Sequence, residues 1–385
     1  MTSFAPFADS PLPRAAYFHV PFCAHRCGYC DFTLVSGRDD LVGDYLRAIE
    51  REMANAKIPP GTSLETLFLG GGTPTHPQPS EMRMLFQRIR QQFQCSPTAE
   101  FSVEANPLDL TDEKITLLAE AGVNRISLGV QSFSAHALKL LERNHRPDDI
   151  AAVMKRLRSA FQNVSLDLIF GVPGQTLADW EETLKRAIDL EPEHLSTYGL
   201  TFEKGTAFWT RRERGEFCGV EEEAERDQYE LAMELLPAAG YPQYEISNFA
   251  KPGYECRHNH VYWNGDEYWA FGPGAARYLN GRRETNLRSV LGWLARLERN
   301  ESPVADSEEL EPDHRARERI YLGLRRTSGV SRQQFREQTG MELDAICGPA
   351  IQEQTRRGLL EDDGSRITLT REGRFVADRV VMEFL

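Results

Sequence analysis

The sequence YFHVPFCAHRCGYC, at residues 17–30, is the most informative part of this chain. The β-branched and aromatic run over residues 15–20 predicts a strand that ends at Val20. The loop that follows carries Cys23, Cys27 and Cys30 in the spacing Cys-x₃-Cys-x₂-Cys. Three thiolates can hold three irons of a cubane [4Fe–4S] cluster. The fourth iron then has no protein ligand, so it can bind a small chelating molecule.

Three other arrangements of these thiols remain open at this point. A zinc site could take His19 or His25 as its fourth ligand. The thiols could also be unrelated buried side chains, or a redox-active disulfide with one spare thiol. The cluster is favoured because the cysteines lie within eight residues and follow the first predicted strand, where α/β barrels place their chemistry.

Outward from this loop, strand and helix patterns alternate. Short β-branched or aromatic runs predict six strands, at residues 15–20, 64–69, 99–104, 125–130, 164–170 and 194–200. Amphipathic stretches between and after them predict helices at residues 40–56, 80–93, 111–121, 134–142, 148–160 and 176–190. Ser80 and Thr111 precede acidic residues and are predicted helix caps. Six successive βα units predict an α/β fold with a parallel sheet curled into an incomplete (β/α)₆ barrel over residues 1–205.

The pattern changes after residue 205. Residues 221–239 predict one helix, and residues 240–280 predict loops and short strands because they are rich in Gly, Asn, His and aromatic residues. Residues 300–312 are polar, contain two prolines and predict a linker. The remainder reads as three helices, two short strands and a final helix, which predicts a winged-helix-like accessory domain. The predicted units are residues 1–205, 206–300 and 301–385.

The charge balance argues against nucleic acid as a partner. The 385 residues contain 45 Lys and Arg against 58 Asp and Glu, for a net charge of −13. From residue 301 onward, 17 acidic residues outnumber 13 basic ones, so the C-terminal unit is not a basic DNA-reading module. No apolar run is long enough to span a membrane. Residues 1–13 contain no secretory signal pattern, and we therefore expect a cytoplasmic protein.

Polar or glycine residues follow several of the predicted strands. GGGTP at residues 70–74 follows the second strand, and the absence of side chains there lets the backbone approach a ligand closely. Glu104 ends the third strand, Gln131 the fourth, and Asp167 lies near the end of the fifth. Because the carboxyl ends of parallel strands meet at one mouth of a barrel, these groups are expected to converge.

Together these motifs resemble the coproporphyrinogen dehydrogenase-like branch of the radical S-adenosylmethionine (SAM) superfamily over nearly the whole chain. The resemblance implies a [4Fe–4S] cluster on Cys23, Cys27 and Cys30, with SAM chelating the open iron. It also implies that one electron, from a donor such as flavodoxin or ferredoxin, cleaves SAM to methionine and a 5′-deoxyadenosyl radical. The residues that match SAM-contact positions of this branch are Tyr17, Tyr29, Gly71, Gly72, Thr73, Glu104, Gln131, Arg143 and Asp167.

Two features separate this chain from the dehydrogenase of that branch. The dehydrogenase has a further cysteine two residues after the third cluster cysteine, and this chain has Phe32 there. CRHNHVYW at residues 256–263 contains His-Asn-x-x-Tyr-Trp, which resembles the signature of HemW-type haem chaperones. That resemblance implies haem ligation by His258 and haem transfer to an acceptor protein, with no coproporphyrinogen III dehydrogenase activity. His260 and Cys256 are local competitors for the iron.

Two alternative functions remain at this point. The first is an oxygen-independent coproporphyrinogen III dehydrogenase or another radical SAM porphyrin oxidoreductase. The second is a tRNA-modifying radical SAM enzyme, which the acidic charge balance disfavours. No catalytic residue is predicted, and the sequence leaves open whether SAM is cleaved in the working cycle.

Overall fold

The computed structural model describes residues 12–216 and 218–385. Residues 1–11, which hold most of the segment considered for a secretory signal, lie outside the described residues, as does Phe217. Among the described residues, no helix is long and apolar enough to cross a membrane.

The first half of the chain alternates strands and helices. Its strands are β1 (Ala15–Val20), β2 (Phe22–Cys23), β3 (Val35–Ser36), β4 (Ser63–Gly71), β5 (Gln94–Ala105), β6 (Arg125–Gln131), β7 (Val164–Phe170) and β8 (His194–Gly199). Its helices are α1 (Val42–Asn55), α2 (Pro79–Gln92), α3 (Asp112–Glu120), α4 (Ala135–Leu140), α5 (Asp149–Leu157) and α6 (Leu177–Asp189). Two short 3₁₀ helices, at Asp39–Leu41 and Pro107–Asp109, accompany them.

The second half of the chain is more irregular. Residues 200–311 contain α7 (Ala207–Glu213), α8 (Glu222–Ala238), β9 (Asn248–Ala250), α9 (Arg257–Trp263), β10 (Trp269–Phe271), β11 (Ala276–Leu279), β12 (Arg282–Asn286), α10 (Val290–Glu298) and β13 (Val304–Glu309). A C-terminal lobe (residues 312–385) contains α11 (Pro312–Gly323), β14 (Val330–Ser331), α12 (Arg332–Thr339), α13 (Leu343–Arg356), β15 (Leu360–Asp362), β16 (Arg366–Leu369), α14 (Arg371–Phe375) and α15 (Ala377–Met382).

The main sheet has eight strands in the order β10-β1-β4-β5-β6-β7-β8-β9. The six predicted strands form its parallel centre, which confirms the α/β incomplete-barrel prediction. Two short strands from the irregular region extend it: β10 pairs parallel to β1, and β9 pairs antiparallel to β8. Sequence patterns did not predict these two pairings because each strand has only three residues.

The predicted cap at Thr111 is confirmed, since its hydroxyl accepts a hydrogen bond from Lys114 N at 3.2 Å. The predicted cap at Ser80 is wrong. The helix begins at Pro79, with Gln78 as its N-cap residue, and Glu81 Oε2 accepts from Gln78 N at 2.8 Å. Proline fits the first helical position because its missing N–H has no partner there in any case.

The predicted linker at residues 300–312 is also wrong. Within it, β13 pairs antiparallel with β12, which itself pairs with β11, to form a separate three-stranded sheet. The polar composition that favoured a linker is compatible with this strand because its side chains are mostly exposed while its backbone is paired.

The C-terminal lobe has its own apolar core, built around Ile320, Phe335, Ile351, Ile367 and Phe384. Its three helices, two strands and final helical segment follow the predicted winged-helix-like order, with two differences. A short third strand, β14, lies between α11 and α12, and the final segment contains two helices. The α14 helix returns to the barrel, where Arg371 Nη2 pairs with Glu230 and Glu234 of α8, each at 2.7 Å. The lobe therefore covers one side of the barrel mouth.

Candidate functional site

A cavity of about 1220 Å³ occupies the mouth and interior of the barrel. Its wall includes all three motif cysteines, the ends of several barrel strands, Cys256 and Asn259 next to and within α9, and residues of the C-terminal lobe. Sites for one small molecule usually measure about 300–1,000 Å³. This cavity is therefore large enough for more than one ligand.

The cysteines lie on the cluster loop (residues 21–34), which connects β1 to β3. Cys23 is buried, with its Sγ 3.2 Å from Thr73 Oγ1, while Cys27 and Cys30 are partly exposed. Burial, together with the nearby Cys30 and Cys27, raises the pKa of the Cys23 thiol to about 11, although the hydrogen bond with Thr73 opposes the shift. Bound iron would replace the three protons and supply the positive charge that buried thiolates need.

Both histidines considered for a zinc site have other partners. His19 Nε2 donates to the carbonyl oxygen of Thr33 at 2.6 Å, and its Nδ1 lies 3.1 Å from the Tyr17 hydroxyl. Burial lowers the pKa of His19 to about 4, so the ring is neutral at pH 7. His25 Nε2 lies 3.3 Å from Glu142 Oε2. Among the described residues, no three His, Cys, Asp or Glu side chains are placed to hold a single metal ion. A cubane cluster makes a different demand, because each of the three thiolates binds its own iron.

The glycines at residues 70–72 pack against the cluster loop. Gly72 N donates to Val20 O at 2.9 Å, and Thr73 N donates to Phe22 O at 2.7 Å. A Cβ atom on Gly72 would lie 2.7 Å from Val20 O, and one on Gly71 would lie 2.3 Å from the His19 ring. These N–H groups therefore bond protein atoms, although Gly71 and Gly72 still line the cavity.

Two buried carboxyl groups face the same cavity. Glu104 Oε2 accepts from Gly71 N at 2.9 Å, and Asp167 accepts from the Ser127 hydroxyl at 3.0 Å. Burial, and then the nearby Asp167, raise the pKa of Glu104 to about 7. Burial also raises the pKa of Asp167, although hydrogen bonds from serine hydroxyls oppose the shift. A ligand with a hydroxyl or ammonium group could donate hydrogen bonds to these two carboxyl groups. Such a ligand would favour their ionised form, which burial disfavours.

Arg143, Gln131 and Tyr29 also line the cavity. Arg143 Nη2 donates to Gly129 O at 2.9 Å, and its Nη1 lies 3.8 Å from Cys27 Sγ. Gln131 has a φ of +67°, a left-handed conformation that is uncommon for a residue with a side chain. Such conformations persist where the surrounding structure imposes them, often at binding sites.

Tyr17 and His258 are the two predicted site residues that do not line this cavity. The Tyr17 ring stacks on Phe68 with ring centroids 6.1 Å apart. His258 is 1% exposed, and its ring also stacks on Phe68, with the two centroids 5.2 Å apart. Both side chains thus belong to a layer packed behind the cavity wall.

Both ring nitrogens of His258 are already hydrogen-bonded. Its Nδ1 lies 2.9 Å from Thr66 Oγ1, and its Nε2 lies 2.9 Å from the Tyr262 hydroxyl. Burial, and then the nearby Arg125, lower the pKa of His258 to about 3. Glu100 fixes the start of α9 by accepting from His258 N at 3.1 Å. His260, by contrast, is half-buried and bonds Glu255 Oε2 through Nε2 at 2.7 Å.

Comparison with known proteins gives consistent results. The model of the radical SAM superfamily matches residues 17–187, and that of the HemN C-terminal domain matches residues 310–376. The heme chaperone HemW of Bacillus subtilis (strain 168) is 39% identical over 97% of this chain and 99% of its own length. HemW of Escherichia coli (strain K12) is 33% identical over 97% of this chain and 98% of its own length. The chain belongs to the HemW family.

A solved structure confirms the fold. The coproporphyrinogen III oxidase HemN from Escherichia coli, a radical SAM enzyme, superposes with a TM-score of 0.85 at 23% identity. The match covers 97% of this chain and 90% of that chain. At this identity the match shows shared architecture only, so it does not transfer the oxidase activity to the HemW family member described here.

The residues present fit the cofactors that the radical SAM superfamily implies. Three free thiols lie on one loop at the edge of a large cavity. His19 and His25 bond other groups, so the three thiols are the side chains of this loop that could hold cluster iron. Polar groups for a SAM-sized ligand line the adjoining wall. A [4Fe–4S] cluster and SAM are therefore the cofactors of this site.

The sequence patterns did not identify two residues that belong to this site, Glu142 and Arg125. Glu142, one residue before Arg143, accepts from Gly28 N at 2.8 Å and so holds the cluster loop. Arg125 lies on the cavity wall, is 2% exposed and forms no ion pair with any carboxylate of the described residues. The strand pattern identifies Arg125 only as the first residue of β6. No sequence signal indicates that Glu142 contacts the cluster loop.

Proposed function

We propose that the protein is a haem chaperone, which binds haem, a [4Fe–4S] cluster and SAM and transfers haem to an acceptor protein. The observation that carries this proposal is similarity to heme chaperones HemW over 97% of the chain. Phe32 supports it, because an aromatic side chain occupies the position at which the dehydrogenase has a thiol. That side chain is 55% exposed and lines the cavity.

For SAM, we propose contacts with the residues that matched the superfamily pattern. They are Tyr17, Tyr29, Gly71, Gly72, Thr73, Glu104, Gln131, Arg143 and Asp167. Eight of them line the cavity, and Tyr17 supports its wall through Phe68. When bound, the cluster would supply a one-electron donor with an open coordination position. The protein's part is to hold the thiolates, orient the ligand and exclude water.

Two features support the proposals that the protein is cytoplasmic and that it receives electrons from a donor such as flavodoxin or ferredoxin. All seven cysteines are free thiols, as expected in a reducing compartment. A cluster on a partly exposed loop also needs an electron donor that can dock beside it. The three units proposed from sequence, residues 1–205, 206–300 and 301–385, would then correspond to cofactor, haem-motif and accessory segments.

For haem, we retain His258 as the proposed axial ligand, and the structure defines what ligation requires. The ring must leave the layer behind the wall, so its hydrogen bonds to Thr66 and Tyr262 must both break. Rotation of α9 would achieve this, because Cys256 and Asn259 on either side of His258 already line the cavity. The free energy lost with these two hydrogen bonds is smaller than the free energy gained from an iron–nitrogen bond.

Haem titrations of single variants test this assignment. His258→Ala should lose most of the affinity or change the haem spectrum, because apolar contacts cannot replace an axial bond. Asn259→Ala should have a smaller effect, and His260→Ala serves as the control. If His260→Ala loses haem while His258→Ala retains it, the ligand is misassigned. If both retain haem with an unchanged spectrum, Cys256 is the next residue to exchange.

The function itself is tested by anaerobic incubation with SAM, a reductant and either haem or coproporphyrinogen III, followed by mass analysis of porphyrin and SAM products. A chaperone binds haem and yields no new porphyrin. Formation of protoporphyrinogen IX would establish the dehydrogenase instead. The same preparation should carry about four iron and four sulfide per chain, and Cys27→Ala should abolish its visible absorbance. Stoichiometric zinc without sulfide would overturn the cofactor assignment.

A further inference from the structure

One wall of the cavity comes from the C-terminal lobe. Residues 374–379, in α14 and α15, line the cavity together with Arg325, which follows α11. Three of these lining residues are the arginines Arg325, Arg374 and Arg379. Three arginines on one wall are unexpected in a unit with more acidic than basic residues, which indicates that this wall has a specific use for positive charge.

Arg374 is the most informative of the three. Its Nη1 donates to Gln243 Oε1 at 2.6 Å, and its buried Nε has no partner among the described residues. It forms no ion pair with any carboxylate in the described part of the chain, although burial lowers its pKa. A half-buried cation with unused N–H donors facing a cavity is arranged to receive an anion.

The neighbouring arginine of the same helix shows the contrast. Arg371 lies one turn earlier, is exposed and pairs with two glutamates of α8, Glu230 and Glu234, each at 2.7 Å. The fold thus provides counter-charges for the arginine on the outer face of α14. For Arg374 on the cavity face, the described residues provide no carboxylate within ion-pair distance, which indicates that the paired counter-charge arrives with a ligand.

Arg325 connects this wall to the haem motif. Its guanidinium carbon lies 5.1 Å from the centroid of the Trp263 ring, the last residue of α9. Its Nη1 pairs with the exposed Asp378 at 2.6 Å, and its buried Nε has no partner among the residues described. The same face of the cavity includes Phe375 and Tyr229, whose rings meet edge to face with centroids 5.7 Å apart.

We propose that Arg374, assisted by Arg325 and Arg379, binds the propionate carboxylates of haem, so that the macrocycle enters with its carboxylate edge toward the C-terminal lobe. This inference rests on the proposed haem-chaperone function. Aromatic surfaces suit the flat apolar ring, and planar guanidinium groups suit carboxylates through paired hydrogen bonds. The cavity volume leaves room for SAM beside the cluster loop and for haem beside the lobe.

The test compares two ligands and three variants by absorbance titration. The ligands are ferric haem and its dimethyl ester, in which both propionates are neutral. We expect the unaltered protein to bind haem about tenfold more tightly than the ester. Arg374→Gln should weaken haem binding about tenfold and leave ester binding unchanged, and Arg374→Lys should recover part of the loss. Arg371→Gln, which removes the same charge from the same helix, should bind both ligands as the unaltered protein does.

Equal binding of haem and ester by the unaltered protein would overturn the inference while leaving the haem-chaperone proposal intact. Unchanged haem binding by Arg374→Gln would do the same. Failure of the unaltered protein to bind either ligand would overturn the proposed function and this inference with it. Because the ester comparison needs no variant, a folding defect caused by a substitution does not remove the test.

Discussion

Glu142 shows how one side chain outside the cysteine motif can hold the cluster loop in place. Its Oε2 accepts from Gly28 N at 2.8 Å and lies 3.3 Å from His25 Nε2. Its Oε1 lies 3.6 Å from Arg211 Nη1 of α7. The carboxylate, which follows α4 in the chain, therefore ties the middle of the cluster loop to α7.

We predict that Glu142→Ala lowers the retention of iron without preventing folding. The loop would lose its only carboxylate anchor near Cys27 among the described residues, and the partly exposed thiols would separate more often. The expected result is a severalfold faster loss of visible absorbance when a chelator is added to the anaerobically reconstituted protein. Glu216→Ala is the matched control, because Glu216 also pairs with Arg211 but does not contact the cluster loop. Equal rates for the two variants would refute this role.

At the scale of elements, the end of β4 and the start of the cluster loop approach each other too closely for side chains. Gly72 has a Cβ position only 2.7 Å from Val20 O and 2.8 Å from Phe22 O. Both neighbours are backbone atoms, so they cannot rotate away. The glycine requirement here comes from contact between two elements and not from a turn.

We predict that Gly72→Ala destabilises the protein by about 1–3 kcal/mol, the usual range for overpacking, and impairs cluster assembly. The added methyl group would displace the start of the cluster loop, so the unfolding midpoint and the iron content of the variant should fall together. The control is Gly43→Ala within α1, where an added Cβ meets nothing closer than 3.7 Å. That substitution should raise stability by about 0.5–1 kcal/mol because alanine favours helix. Unfolding in denaturant measures both effects, and a Gly72→Ala protein as stable as the parent would contradict the prediction.

At the scale of the whole molecule, a buried carboxyl joins the first helix to the region beyond the barrel. Glu52 of α1 accepts from Gly272 N at 2.9 Å and from Asn286 Nδ2 at 2.6 Å. Burial raises the pKa of Glu52 to about 7, although these hydrogen bonds oppose the shift. The contact fixes β10 and β12 against the barrel edge, where β10 extends the sheet beside β1.

The raised pKa predicts a pH dependence with a defined sign. Between about pH 4.5 and pH 7 the native Glu52 binds a proton that the unfolded chain does not, so this group contributes less stability as the pH rises. Glu52→Gln removes that titration. Relative to the parent, the variant should gain about 2 kcal/mol of unfolding free energy between pH 5 and pH 8.

Only the difference between the two proteins is informative, because buried His19, His145 and His258 have lowered pKa values and contribute the opposite slope. Those histidines are common to both proteins and cancel. Glu50→Gln, on the exposed face of the same helix, is the matched control, because it makes the same chemical change away from Gly272 and Asn286. A Glu52→Gln curve parallel to the parent would show that Glu52 is ionised throughout this range.

The closure of the cavity is also a property of the whole molecule. The cluster loop precedes β3, the carboxylates lie on β5 and β7, and the arginine wall comes from α11 to α15. Residues more than 350 positions apart in the sequence therefore share one cavity, from Cys23 to Arg379. A ligand that bridges the barrel and the lobe would be expected to order both.

The sequence by itself determined the features that depend on local pattern. Strands β1 and β7 have the predicted bounds because a short, mostly apolar run that includes β-branched and aromatic residues specifies a buried parallel strand. The three cysteines, the strand-end polar groups and Phe32 were identifiable because each depends on residue type at a fixed spacing. The α/β barrel and the HemW-type resemblance followed from these patterns.

Tertiary structure decided the features that depend on distant partners. Val304–Glu309, within the segment predicted as a linker, form a strand because they pair with the edge of β12, and no local pattern in that polar segment shows it. His258 is buried because Thr66, about 190 residues earlier, and Tyr262 take both ring nitrogens. Within the described part of the chain, Arg374 has no carboxylate ion-pair partner while Arg371 has two, because α14 packs on α8 with Arg371 toward the glutamates. Sequence specifies what a side chain can bond, whereas the fold specifies which atoms are within reach.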